Sequence, residues 1–327
     1  MDTETQVTDL PMAMTPELAA GKTYIVTGSN GGLGYEAVKH LVTMGAATVI
    51  MAVRDPSKGE VAKAEIEAAT GSKDVIKVWQ LDKASYASVK SFAQKAIDEL
   101  DHVDVLIDNA GVAQSAPNLP EGHRENMTVN TYSSLLLAVL LLPSMSAYAN
   151  KHNTVSYIVL VSSSASFQVQ ESWNKMKDND PLATIDDLNS GTPMVSYPLS
   201  KAIQIMATKE LARLVPLSRT NVVLNLVDPG ICKTNLSRNA PEPFRSTLAA
   251  LHEKIGRTAE EGSRTLLHGA VAGGASHGVL VDSCELHEKR VPAWLNGEEA
   301  RPYQKTLWEG IAKELEKVSP GSVKAIM

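Results

Sequence analysis

The stretch TGSNGGLG, residues 27 to 34, follows the apolar run TYIVT (23–27) and leads directly into a helical pattern at 33–44. Glycine has no Cβ, which permits a tight turn at Gly28, close approach of the backbone to a ligand at Gly32 and close packing of helix on strand at Gly34. A strand, a glycine turn and a helix in that order gather backbone N–H groups and the positive end of the helix dipole at one point, which suits an anion. A glycine cluster alone is equally an ordinary turn; the strand before it and the helix after it give it meaning.

The same alternation continues along the chain. ATVIMAV (47–53), VIKVWQL (75–81), VDVLID (103–108), VSYIVLVS (155–162) and NVVLNLV (221–227) are near-continuous apolar runs, the pattern of strands buried on both faces of a parallel sheet. A last run, GVLVD, spans 278–282. Helical patterns at 33–44, 56–69, 84–100, 123–148, 198–214 and 259–272 fill the intervals, so the fold expected is α/β, a doubly wound parallel sheet in one domain over 21–282. A polar, helical lead (1–20) precedes it. A C-terminal extension (283–327) carries Trp294, Tyr303 and Trp308, too aromatic to be disordered, and is expected to pack near the substrate cleft. The connection 168–196 is long enough to be read as a functional loop.

Composition narrows the partners. Lys and Arg number 31 against 37 acidic residues, a net charge of −6, which argues against a nucleic-acid footprint and for small molecules. Two cysteines, Cys232 and Cys284, without CxxC spacing give neither a disulfide framework nor a cysteine zinc site, and fit a reducing, cytoplasmic compartment. The acidic start MDTETQVTDL is no secretory signal. LLLAVLLL (135–142), ended by Pro143, is too short to span a bilayer and reads as the buried middle of a helix.

The second strand ends in VIMAVRD (49–55). In a dinucleotide site this strand end lies beside the adenosine ribose, where a carboxylate suits a 2′-hydroxyl and an arginine a 2′-phosphate. Arg54 therefore favours NADP(H) over NAD(H). A solvated surface arginine is the competing reading, and Asp55 could instead pair with it.

Three segments place a tyrosine four residues before a lysine: YEAVK (35–39), YASVK (86–90) and YPLSK (197–201). Tyr35 begins the helix that supports the anion turn, and Tyr86 starts a helix capped by Ser85 that reads as an exposed face. Tyr197 differs because IVLVSSSAS lies upstream, and ligands gather at the carboxyl ends of strands. A phenol of ordinary pKa, about 10, is a poor acid or base at neutral pH; an ammonium one turn away should lower it. Pro198 belongs in a first helical turn, which would put Tyr197 at the helix start.

The ordered set TGSNGGLG, LD ending at Asp82, DNAG (108–111), VN ending at Asn130, Ser163, YPLSK and DPGICKT (228–234) resembles the short-chain dehydrogenase/reductase family over about residues 20–282. That resemblance implies a Rossmann fold and an NADP(H) site. Gly28, Ser29, Asn30, Gly32, Leu33 and Gly34 would form its pyrophosphate loop, Asp82 the adenine contact, and Asn109, Ala110 and Gly111 the segment beside the cofactor. Asn130 would hold a water in the proton relay. Ser163 would bond the substrate oxygen, Tyr197 would protonate it, and Lys201 would bind the nicotinamide ribose. Pro229, Gly230, Ile231 and Thr234 would hold the carboxamide end, with Ile231 offering its backbone. Ser162 or Ser164 would replace Ser163 if the register is one residue off, and Thr234 could be an ordinary N-cap.

The separation from 163 to 197, 34 positions, is longer than the family pattern and resembles its retinol-dehydrogenase-like and protochlorophyllide-reductase-like members, implying a bulky, partly apolar substrate. The segment 238–254 and the tail would build the substrate side of the cleft, and the tail could cover a surface used for homo-oligomer formation. Two other readings are weaker. GASHG (274–278) matches a nucleophile elbow around Ser276 but precedes a strand instead of following one, and the HEK triplets lack a second histidine, so no metal is expected. The expectation is an NADP(H)-dependent ketoreductase. Reduction of a conjugated C=C or C=N bond, and a cofactor-binding regulator without turnover, remain open.

Overall fold

The computed structural model describes residues 6–116, 118–187, 193–238, 242 and 244–327. Eight strands form one sheet in the order β3-β2-β1-β4-β5-β6-β7-β8. The first seven are β1 (Thr23–Thr27), β2 (Thr48–Val53), β3 (Ile76–Gln80), β4 (Val105–Asp108), β5 (Ser156–Val161), β6 (Val222–Asp228) and β7 (Leu280–Asp282), all mutually parallel. A two-residue strand, β8 (Glu285–Leu286), which the sequence did not announce, adds an antiparallel edge.

Alternate side chains feed two cores, one on each sheet face. Ile25, Ile50, Leu106, Ile158, Leu160, Leu224 and Leu226 face the helices Tyr86–Glu99, Ser133–His152 and Pro193–Leu214. Tyr24, Val26, Val49, Met51, Ile107, Val159 and Val227 face the helices Gly32–Thr43, Pro56–Thr70 and Ala259–Gly269. Burial on both faces is why these strands read as unbroken apolar runs. Leu135 to Val139, inside Ser133–His152, are buried in the first core, so the one helix among the described residues apolar and long enough to cross a membrane serves as a core helix.

Local chemistry sets the helix ends. Asp55 accepts from the N–H groups of Ser57 and Lys58 with Pro56 at the first helical position, and Thr258 with Glu261 forms a capping box. The lead is not the helix expected: among residues 6–19 only Pro16–Ala19 is helical. The remainder runs as a strap whose carbonyls accept from Arg257 (Val7, 2.7 Å) and Arg264 (Leu10). The tail folds as the helix Arg301–Val318 against the helix Pro193–Leu214. The long connection contains two helices, Gln170–Met176 and Pro181–Asp186; residues 188–192 of it, like 239–241 and 243 of the 238–254 segment, lie outside the described residues. Trp173, from the first of these helices, is buried against Trp294 and Tyr303 of the tail, at ring separations of 6.2 and 5.6 Å.

Candidate active site

The carboxyl ends of β1, β4, β5 and β6 converge on one crevice. At β1 the glycine turn fits tightly. A Cβ on Gly28 would stand 2.9 Å from the Ala110 Cα, and one on Gly34 would stand 2.7 Å from Asn109 Nδ2. Gly28 and Gly32 also hold positive φ, 65° and 59°. The following helix starts at Gly31 with no side-chain cap, so its first N–H groups are left for a ligand. A Cβ on Gly31 would meet open space. This cradle fits a dinucleotide pyrophosphate. Asn30 is exposed at the turn and Leu33 half-buried, whereas the Ser29 hydroxyl is buried and donates to the Val26 carbonyl at 2.9 Å.

Arg54 is exposed at the end of β2, and no hydrogen bond or ion pair engages it among the described residues. Asp55 caps the next helix through Oδ1, and its ion-pair partner is Lys58. Asp82, half-exposed after β3, is oriented by the Ala84 N–H at 2.9 Å.

Beneath Asn109–Gly111 lies an ion pair that the sequence reading missed. Lys83 donates to both Asp108 oxygens (2.8 and 2.7 Å), to the Ala110 carbonyl (3.0 Å) and to Ser134 Oγ (2.8 Å). Thr27 Oγ1 donates to Asp108 and accepts from the Ala110 N–H, and Asn109 Nδ2 donates to the Thr27 carbonyl. The ends of β1, β3 and β4 are thereby tied together. The signal was an aspartate closing an apolar strand, a buried charge that requires a partner.

Asn130 lies in a π-helical turn, Thr128–Tyr132, of the kind that often marks functional sites. Its side chain is fully engaged: Oδ1 accepts from the Val112 N–H (2.9 Å), and Nδ2 donates to the Val112 carbonyl (2.9 Å) and Ser200 Oγ (3.0 Å). Gly111 passes directly over it, since a Cβ there would stand 3.1 Å from Asn130 Oδ1.

After β5 the three serines take different partners. Ser163 Oγ accepts from the Ala165 N–H at 3.2 Å and shares a side-chain hydrogen bond with Tyr197. Ser162 is buried, and Ser164 bonds Asp228 at the end of β6. Tyr197 sits inside the helix Pro193–Leu214, which begins before Pro198, so the tyrosine stands one turn in rather than at the start, and the dipole helps it less. The expected lowering of its pKa is absent. Burial pushes the phenol up to about 12, the Ser163 hydrogen bond opposes this, and Asp228 adds to it.

Lys201 is buried, with Nζ donating to the Val161 carbonyl (2.6 Å) and Gln204 Oε1 (3.3 Å). Burial, and then the nearby Lys83, push it down to about 7, against the pull of Asp108 and Asp228. Asp228 is itself raised by burial and by Asp282, its register partner on β7.

The segment after β6 crosses the glycine turn, with Thr234 Cγ2 3.6 Å from where a Cβ of Gly32 would lie. Gly230 holds φ 77°. Pro229 accepts from Arg257 at 2.7 Å. Cys232 and Arg257 form a parallel bridge in which the Ile231 carbonyl accepts from the Arg257 N–H (2.9 Å). The Ile231 N–H donates to Gln6 Oε1 (2.8 Å), and its carbonyl also accepts from Gln6 Nε2 (2.9 Å). The Ile231 backbone is therefore spent inside the protein, contrary to its expected role. In an extended bridge the next residue faces the opposite way. The N–H and C=O of Cys232 make no hydrogen bond among the described residues.

Of the competing motifs, Tyr86 is buried rather than exposed, its hydroxyl without a hydrogen-bond partner among the described residues and its phenol raised by burial. Tyr35 lies with the second core. Ser276 is buried and donates to the Gly273 carbonyl, in a 3₁₀ turn that precedes β7. No cluster of metal-ligating side chains occurs among the described residues.

Known proteins resemble this chain in sequence and in fold. The short chain dehydrogenase family profile matches residues 22–175. Over 308 residues the chain is 36% identical to the short chain dehydrogenase/reductase dmxR8 of Cryptosporiopsis sp., covering 92% of this chain and 93% of that one. It is 38% identical over 251 residues to the short chain dehydrogenase atnD of Emericella nidulans, covering 76% and 79%. A putative NAD(P) dependent gluconate 5-dehydrogenase from Beutenbergia cavernae, solved with bound NADP, superposes with TM-score 0.61 at 22% identity, covering 81% of this chain and 95% of that one. A strapped, doubly wound sheet with these residues at its crevice and relatives of this closeness place the chain in the short-chain dehydrogenase/reductase family of oxidoreductases.

Proposed function

We propose that the protein is an NADP(H)-dependent reductase of a ketone or aldehyde on a bulky, partly apolar small molecule, with Tyr197 as proton donor. The observation that carries this reading is the Ser163–Tyr197 hydrogen bond at the carboxyl end of β5, with Lys201 buried one helical turn behind. When bound, NADPH would supply the hydride. The glycine cradle would hold its pyrophosphate, and Arg54, unpaired among the described residues while Asp55 caps the next helix, would hold a 2′-phosphate. Cys232, rather than Ile231, would offer backbone groups to the carboxamide, beside Thr234.

Ser163 Oγ would donate to the substrate oxygen and stabilise negative charge developing there. Tyr197 would protonate that oxygen. A phenol held at about 12 is neutral at physiological pH and so carries the proton to be given. Lys201, poised near neutrality, would replenish it, and the widened turn at Asn130 would seat the relay water beside Gly111. Both thiols are free and buried, which supports a reducing, cytoplasmic setting. The test is a Tyr197→Phe variant assayed for NADPH oxidation against a panel of ketones and aldehydes. Turnover should fall about a hundredfold or more while NADPH still binds; a variant of normal activity would refute the reading.

A further inference from the structure

We propose that Gln6, on the strap outside the matched family region, is a positioning residue for the nicotinamide end of the cofactor. This rests on the reading just given. Its side-chain amide is wedged between two segments: Oε1 accepts from the Ile231 N–H (2.8 Å), while Nε2 donates to the carbonyls of Ile231 (2.9 Å) and Ile255 (2.8 Å). Gln6 thus extends the bridge between residues 231–233 and 257 by one rung, using a side chain where a strand would use its backbone.

Three features show that the fold is built around this contact. A Cβ on Gly230 would lie 2.4 Å from Gln6 Oε1 and displace the amide from its place, and at φ 77° the backbone there favours glycine. Arg257, 1% exposed, clamps the same strap by donating to the Val7 carbonyl (2.7 Å) and, with its other nitrogens, to Pro229 (2.7 Å) and Ser283 Oγ (2.7 Å). The bridge alternation then aims the N–H and C=O of Cys232 at the opposite side, where Thr234 meets the glycine turn. Gln6 touches no reacting atom. It fixes the direction of the peptide that does the binding.

The chemistry is selective because the wedge needs one acceptor and one two-hydrogen donor in a single group. A glutamate of the same shape accepts from the Ile231 N–H but turns an oxygen toward two carbonyls. Gln6→Ala and Gln6→Glu are therefore expected to act alike.

Calorimetric titration of the full chain with NADPH and with 2′-phospho-ADP-ribose, which lacks the nicotinamide, tests this. Gln6→Ala and Gln6→Glu should each weaken NADPH binding about tenfold, leave 2′-phospho-ADP-ribose unchanged, and raise KM for NADPH more than they lower kcat. Equal weakening of both ligands would reduce Gln6 to a structural tie and overturn the proposal, as would retention of full NADPH affinity. If the unsubstituted protein bound NADPH no more tightly than the fragment, the nicotinamide placement itself would fall, and this role with it.

Discussion

The side of the molecule built around the glycine turn and the side built from the 168–196 connection and the tail are made in different ways. Around the ends of β1 to β4, position is set by contacts that tolerate no change of atom: glycines whose Cβ would collide at 2.7–2.9 Å, and a buried lysine sharing its hydrogens among four oxygens. Around the 168–196 connection and the tail, position is set by aromatic packing, Trp173 on Trp294 and Tyr303, with polar latches at the edge. On the proposed reading, the first side would recognise a part common to all dinucleotides. The second would be free to vary with the substrate, because apolar packing constrains volume more than identity.

If this contrast is right, damage to one half should leave the other standing. The largest effect belongs to Trp173→Ala, which should cost about 3–5 kcal/mol by opening a cavity between the connection and the tail. The folded fraction should still bind NADPH normally, as read by fluorescence; lost binding in that fraction would show that the halves are not separable. Gly34→Ala should do the reverse. It forces a Cβ into Asn109 and the Gly28 carbonyl, an overpacking of about 1–3 kcal/mol, so NADPH affinity should fall about tenfold or more while the melting temperature falls by only a few degrees, less than in Trp173→Ala. Arg54→Ala sharpens the nucleotide side further: loss of a charge-assisted contact should weaken NADPH about ten- to a hundredfold and leave NADH as it was. Equal losses would remove the 2′-phosphate assignment.

The remaining effects are read against pH. Where the connection meets the tail, His123 Nδ1 lies 2.6 Å from Asp186 of the connection, Nε2 3.7 Å from Glu314 of the terminal helix, and the ring against Tyr132 at 4.3 Å. Burial, the largest single influence, pushes the imidazole down, but the hydrogen bonds and charges of Asp186 and Glu314 together outweigh it, and the net shift is upward. A raised histidine stabilises the fold fully below its ordinary value of 6.5 and loses that contribution as pH rises through its folded value. His123→Gln should therefore cost stability in acid and little in alkali, measured by urea titration; a loss independent of pH would contradict the latch. Lys201 runs oppositely. Pushed down to about 7 against an ordinary 10.5, it makes the fold more stable as pH climbs through that window, because the unfolded chain binds the extra proton. Lys201→Met should flatten that rise.

The same contrast explains what the sequence disclosed. Strands β1 to β7 were legible because burial on both faces writes itself as unbroken apolar runs, and the glycine turn because its requirement is local. Ser163, Tyr197 and Lys201 could be chosen from their position after β5. Contacts between distant segments were not legible. Nothing near residue 83 says that Lys83 will meet Asp108, nothing in the lead says that Gln6 will take the Ile231 backbone, and the YASVK pattern does not reveal that Tyr86 turns inward. Pro198 misled for a physical reason: tertiary packing carries the helix back to Pro193, overriding the preference of proline for a first turn. The phenol shift misled because burial was left out of the balance, and burial dominates it.

The central claim is that one hydroxyl, that of Tyr197, delivers the proton. Pre-steady-state NADPH oxidation in Tyr197→Phe, beside Tyr35→Phe and Tyr86→Phe, tests it most directly. The first should lose on the order of a hundred- to ten-thousandfold in rate with NADPH affinity retained, and the other two should keep their rate. A Tyr197→Phe protein that turns over normally, or an inactive Tyr35→Phe or Tyr86→Phe protein that still folds and binds NADPH, would contradict the account.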